Sequence, residues 1–300
     1  SCGETRVLEN EWFRAVFNAR GEIATLLDKA SGLNLAAAPM NRFRLFRDVP
    51  RAFDAWDVDA NYESFEVAVD EPALIETVAS GPLAGVRRII RRLGHSTVTQ
   101  EVWLRRGSRR LDFRTIVDWQ EKHRLLKVAF PTTIHAQEAV HEIQFGHLKR
   151  PNHRSLPFDA DRFEVSAHKW TAIEEANRGA AVLNDCKYGV NVTGGTIQLT
   201  LLRAPQAPDA TADRGLQEFT YSFYAWNGPF FESAVVREAY DLNVPVTVQP
   251  GAGGCVALFR VDAPNVVVET VKPAEDGSGD LVVRLYEAMR TATRCTLSTG

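Results

Sequence analysis

The chain has 300 residues, 45% of them hydrophobic and 24% charged, with a formal net charge of −3. That is enough apolar material for one large or two medium cores, and the near-neutral balance excludes the clustered basic face of a nucleic-acid binder. The four cysteines, Cys2, Cys186, Cys255 and Cys295, are far apart and lack CxxC spacing. This argues against a zinc finger or a dense disulfide framework and for free thiols in a reducing, cytoplasmic setting. No apolar run is long enough to span a bilayer and no signal peptide is recognisable, so no membrane partner is expected.

Strand signals dominate along the chain. Runs at 11–17 and 42–47 come first, with a turn at Ala19-Arg20-Gly21 between them. Asp54, Asp57 and Asp59 then flank Trp56. Three acids so close could hold calcium through oxygen ligands, but no Gly-hinged loop accompanies them, which favours a surface loop or an interdomain contact. Runs at 62–69, 86–93 and 98–105 follow. The pairs Arg87/Arg88, Arg91/Arg92, Arg105/Arg106 and Arg109/Arg110 put one arginine on each strand face and are expected at solvated edges and turn ends. From Leu111 to Trp119, apolar residues and Thr115 alternate with Arg110, Asp112, Arg114 and Asp118, the period of a half-buried antiparallel strand.

Runs at 125–135, 139–147, 196–203, 219–225, 255–261, 265–271 and 281–286 complete the strand set, with turns at Arg106-Gly107-Ser108, Thr193-Gly194-Gly195 and Asp276–Gly279. One helix is expected, Glu232–Leu242, with Ala234, Val235, Ala239 and Leu242 apolar. Asn191-Val192-Thr193 is a glycosylation sequon, near chance in this length. The GAGGC turn at 251–255 divides the chain into a domain at 1–250 and a shorter β-segment at 251–300. The chain begins without Met and ends straight after a strand, as an excised piece of a longer polypeptide would.

The stretch 142–189 is unusual. Gln144, His147, Lys149, Arg150, His153 and Arg154 crowd a short segment, and Arg162, Asp185, Lys187 and Tyr188 follow. So many hydrogen-bonding side chains between apolar runs suit a polyhydroxylated ligand. Asp185 could accept from two sugar hydroxyls and Tyr188 could stack on a pyranose face. His147 and His153 could wall a sugar site or brace Asp159 and nearby carbonyls. Arg150 suits a bidentate hold on a carboxylate. Asp213 is either a substrate-side acid or a turn residue, and His168 and Trp170 read as core edge.

The same stretch carries EIQFGHLKRPNHR, DADRFEVSAHKW and LNDCKYG, joined elsewhere by FDAWDVD at 53–59, LDFRTIVDW at 111–119, HRLLKVAFP at 123–131, TADRGLQEFTY at 211–221 and VVVETVKPAEDG at 266–277. In this the chain resembles the C-terminal β-region of glycoside hydrolase family 38, the α-mannosidases, in the form of the bacterial and yeast vacuolar enzymes. It departs from that pattern at Ser155–Asp159, and at Gln217 and Trp226, where histidines are common in the family.

The resemblance implies an all-β fold: a galactose-mutarotase-like supersandwich of antiparallel sheets followed by part of a smaller β-sandwich. It implies a retaining, zinc-dependent α-mannosidase acting on terminal α-mannosides of a mannose-containing oligosaccharide. The nucleophile and the zinc then belong to an N-terminal α/β-barrel partner domain absent from this chain. None of the seven histidines lies in His-x-Asp, His-x-His or HExxH spacing, so no catalytic residue and no zinc ligand is assigned here. The expected substrate-binding set is Gln144, His147, Arg150, His153, Asp185, Tyr188 and Asp213. Homo-oligomerisation is expected through the face a barrel would cover. Two other readings stand beside this one: a stand-alone aldose epimerase using His147 or His153 with Asp185, and a non-catalytic carbohydrate-binding module.

Overall fold

The computed structural model describes residues 5–251, 253 and 257–300. Two large antiparallel sheets face each other. The larger runs Gly146–Pro151, Glu138–Ile143, Trp170–Glu175, Arg178–Asn184, Gly215–Asn227, Arg110–Trp119, Ser96–Arg105, Ala84–Leu93, Leu74–Ser80 in spatial order. The smaller runs Val165–Ser166, Gly189–Thr193, Thr196–Arg203, Arg124–Pro131, Arg42–Arg47, Glu66–Val67. A sheet built from Val7–Glu9, Phe13–Phe17, Ile23–Asp28 and Leu33–Asn34 closes one side of the core. The shorter β-segment contributes two pairs, Phe259–Val261 with Leu297–Thr299 and Val266–Pro273 with Leu281–Glu287.

The alternation read at 111–119 places Leu111, Phe113, Thr115, Val117 and Trp119 inside. Phe113 stacks at 5.1 Å on Tyr221, its cross-strand neighbour in the large sheet, and Phe130 of the small sheet stacks at 5.5 Å on Phe223 of the large one. Each such ring, once fully buried, contributes roughly 1.5–3 kcal/mol. Within this apolar layer Asn41, Gln100 and Tyr221 close a ring of hydrogen bonds, Asn41 Nδ2 to Gln100 Oε1 (3.0 Å), Gln100 Nε2 to Tyr221 OH (2.6 Å) and Tyr221 OH to Asn41 Oδ1 (2.7 Å). Burial is affordable because each polar group has a partner.

The outer face of the nine-stranded sheet is covered over half its width. There Val140, Trp170, Leu183, Tyr224 and Trp226 pack beneath the helix Val235–Asn243 and Ala288. The other half carries an open charge ladder in which Glu76 pairs with Arg88, Arg88 with Glu101 and Glu101 with Arg114 across neighbouring strands.

Several expectations are corrected. The run at 62–69 is a 3-10 turn, Tyr62–Phe65, followed by the two-residue strand Glu66–Val67. The run at 139–147 is a hairpin, Glu138–Ile143 and Gly146–Pro151, because Phe145 adopts a left-handed φ of 57°. The helix starts at Val235, after a 3-10 turn at Phe230–Glu232. Arg87 and Arg91 are not solvated. Arg91 donates to the carbonyls of Gly21 (2.5 Å) and Asn41 (3.1 Å), and Arg87 to those of Thr5 (2.9 Å) and Val7 (2.6 Å). Both therefore tie other segments to the large sheet. Asn191 is buried, with its amide donating to Glu63 at 3.2 Å, so the sequon is not an accessible acceptor in the folded chain. Cys186 and Cys295 are exposed, unpaired thiols. Cys2, Cys255 and most of the GAGGC turn lie outside the described residues.

Candidate functional site

The strand directions sort the expected site residues into groups. Gln144 sits in the hairpin turn at one end of the large sheet; His168 is tied there by its N–H to Glu142 O (3.1 Å), and Asn184 by its N–H to Lys169 O (3.0 Å). Asp185 and Tyr188 follow Asn184 at that end, and Asp213 precedes the strand Gly215–Asn227, which starts there. Gln144, Asp185, Tyr188 and Asp213 thus share one rim of the sandwich.

On this rim His168 links the parts. Its Nε2 lies 3.4 Å from Gln144 Nε2, and its ring is 5.5 Å from that of half-exposed Tyr188. Asp185 uses Oδ2 to accept the Thr220 N–H at 2.9 Å, while its Oδ1 is buried without a hydrogen-bond partner. An unpaired carboxylate oxygen of this kind costs stability unless a donor arrives.

Asp213 leads to the neighbouring part of the rim. It adopts a φ of 60°, and its Oδ2 accepts the Arg203 N–H at 3.2 Å. The Arg203 guanidinium donates to Asp48 Oδ2 (2.7 Å) and to the carbonyls of Asp54 (3.1 Å) and Asp57 (2.7 Å). Asp54 Oδ2 accepts the N–H groups of Gln206 (2.7 Å) and Ala207 (3.1 Å). The Asp54 carboxylate and the Asp54 and Asp57 carbonyls of the FDAWDVD stretch therefore pin a loop. Phe53 and Trp56, about 70% exposed, project from it. Burial raises the Asp48 carboxyl, with Arg203 opposing. Arg203, Asp48 and His168 were missed as rim residues. The signal for Arg203 was a cation ending an apolar alternating strand in a chain with an unassigned triple-acid loop.

His147, Arg150 and His153 lie elsewhere, and the first two are on a strand rather than a loop. His147 is 6% exposed, packs against Trp170 and Phe230, and its Nδ1–H donates to Ala288 O at 3.0 Å. Burial pushes its pKa down, although the Ala288 carbonyl favours the charged form. It ties the large sheet to the 251–300 segment. Arg150 has a buried Nη1 without a hydrogen-bond partner. His153, beyond Pro151, is at the far end of the hairpin from Gln144, with Nδ1 3.8 Å from Oδ2 of buried Asp159. The histidine–Asp185 pairing that an epimerase would need is not formed: His147 is engaged by Ala288, and His153 lies at the opposite end. Among the described residues no three His, Cys, Asp or Glu side chains converge as a metal site requires.

Comparison with known proteins agrees with this architecture. Residues 8–211 match the family model "Glycosyl hydrolases family 38 C-terminal domain", and residues 265–300 match "Glycosyl hydrolases family 38 C-terminal beta sandwich domain". The chain is 41% identical to human alpha-mannosidase 2C1 over 97% of its own length and 28% identical to the Saccharomyces cerevisiae alpha-mannosidase over 91%. It spans only 29% and 27% of those two proteins. A solved family 38 protein from Enterococcus faecalis superposes with a TM-score of 0.83 at 18% identity, covering 99% of this chain and 40% of that one.

An all-β supersandwich with an appended smaller β-segment is the fold these comparisons share. The chain belongs to glycosyl hydrolase family 38, where it corresponds to the C-terminal domains.

Proposed function

We propose that this chain is the C-terminal, sugar-site-shaping part of a retaining, zinc-dependent α-mannosidase that removes terminal α-mannosides. The support is the family match, together with relatives named alpha-mannosidases that are more than three times as long as the matched region. In this reading the nucleophile, the acid/base and the zinc belong to an N-terminal barrel domain outside this chain, and the rim faces that domain. Two carboxylates flank the scissile bond in such enzymes. The rim offers Asp185 Oδ1 as an unsatisfied acceptor, Tyr188 as a partly exposed ring and Gln144 as an amide, groups suited to orienting a hexose rather than to cleaving it. Two units, 1–250 and 251–300, are proposed, and the two family models match on either side of that division. The exposed free thiols of Cys186 and Cys295 support a cytoplasmic setting.

The test is hydrolysis of an aryl α-mannoside by the complete protein and by the 300-residue chain. Turnover by the complete protein alone is expected. Zinc-dependent turnover by the chain alone would overturn the assignment of catalysis to another domain.

A further inference from the structure

We infer that the outer face of the six-stranded sheet carries a second, independent carbohydrate site, built for a neutral pyranoside. The site is a concavity of about 720 Å³ at the end of the sandwich away from the rim, beside the Thr193–Thr196 turn. That volume lies within the roughly 300–1,000 Å³ of small-molecule sites. Its lining includes Arg44, Glu63, His153, Arg154 and Gln198, and Asn191 stands next to Gln198 in the strand register.

The strand pattern puts these groups there. Phe43 and Leu45 point into the core, so Arg44 points out, and the same alternation turns Gln198 and Asn191 outward between Ile197 and Leu199, and Val190 and Val192. Ala129, opposite Gln198 and small, leaves room for Arg44 Nη1 to reach Gln198 Oε1 at 2.8 Å. Glu63, from the 3-10 turn, accepts from Arg154 Nη2 at 3.3 Å and from Asn191 Nδ2 at 3.2 Å.

The charge arrangement selects the ligand class. Arg154 is paired with Glu63 at 3.3 Å and Arg44 with Glu66 at 2.5 Å, so neither guanidinium is a free cation for an anion to neutralise. What remains is a set of planar groups, carboxylate, amide and guanidinium, with spare acceptor and donor positions, the match for adjacent hydroxyls that each donate and accept. Asn191, 3% exposed, lies beneath this surface and holds Glu63 through Nδ2, so the carboxylate presents a fixed acceptor to a ligand hydroxyl.

The test titrates the 300-residue chain with methyl α-D-mannoside and, separately, with inorganic phosphate, followed by ligand-observed NMR and calorimetry. Saturable binding of the mannoside and none of phosphate is expected. Arg154→Ala, on an exposed loop, and Gln198→Leu should each weaken binding about tenfold or more, with the melting temperature of the Arg154→Ala chain unchanged. Glu76→Gln, on the charge ladder of the large sheet and outside both the concavity and the rim, should leave binding intact; the rim reading is tested separately by turnover of the complete protein, so the two failures are told apart. The proposal is overturned by no saturation at about 50 mM mannoside, by binding of phosphate instead, or by mannoside binding that survives both Arg154→Ala and Gln198→Leu.

Discussion

Asp185 and Thr220 exchange two hydrogen bonds across the rim: the Asp185 N–H donates to Thr220 O at 3.1 Å, and Asp185 Oδ2 accepts the Thr220 N–H at 2.9 Å. One carboxylate oxygen thus extends the sheet ladder by a step while the other is left without a donor. Asp185→Ala should therefore destabilise the chain by about 1–3 kcal/mol, whereas Asp185→Asn, which keeps an acceptor for Thr220, should unfold closer to the parent in urea. In the complete protein both changes should lower kcat/KM about tenfold or more if the spare oxygen meets a sugar hydroxyl. Parental kcat/KM in the Asn variant would remove Asp185 from the sugar site.

Arg203 is the joint between the small sheet and the 48–57 loop. Arg203→Met leaves Asp48 buried without its cation and should cost about 3–5 kcal/mol, nearer the lower figure because Arg203 is partly exposed. Adding Asp48→Leu should recover part of that loss. Denaturation of the two single variants and the double variant gives the coupling directly, and strictly additive losses would show that the pair does not act as a unit.

His141 supplies a pH dependence. Burial, helped by the charge of Arg150, pushes its pKa down to about 3, and its Nδ1 lies 3.2 Å from Thr171 Oγ1. The folded form therefore holds a neutral ring. Between about pH 6.5 and 3 the unfolded chain binds the extra proton, so this contribution is complete above pH 6.5 and shrinks as the pH falls. His141→Asn should flatten the slope of unfolding free energy in that window relative to the parent. An unchanged slope would mean His141 is not the group responsible.

Gly179 marks a close approach. A Cβ there would lie 2.0 Å from the Trp226 ring, on the neighbouring strand. Gly179→Ala should destabilise by about 1–3 kcal/mol or more. Combined with Trp226→Leu, which removes the obstructing ring, it should cost much less than it does alone. Equal costs in both backgrounds, by calorimetry, would mean the strain is in the backbone.

The period-two strands were legible because alternation at 111–119 and 98–105 records directly which face is buried. The family motifs carried the fold further than periodicity could. Positions whose environment comes from distant segments were not legible. His147 reads as a wall of a sugar site or a brace for nearby carbonyls, yet the carbonyl it meets is that of Ala288, 141 residues on. Arg91 reads as a solvated strand cation, yet its acceptors are carbonyls of Gly21 and Asn41. The hairpin also split the proposed site. Gln144 and His153 are close in sequence, but a six-residue strand separates them by about 20 Å.

Strand-rich chains risk growing by edge-to-edge addition, and the ends of both sheets bear on this. The small sheet ends in the two-residue strands Val165–Ser166 and Glu66–Val67, too short to template a partner. The large sheet ends on one side in Leu74–Ser80, which is bulged between Thr77 and Ala79, and on the other in Gly146–Pro151, which carries Lys149 and Arg150 and finishes in proline. Each terminus discourages an incoming strand by a different device. At the ends of these two sheets the backbone therefore offers an incoming strand no long, flat edge on which to polymerise.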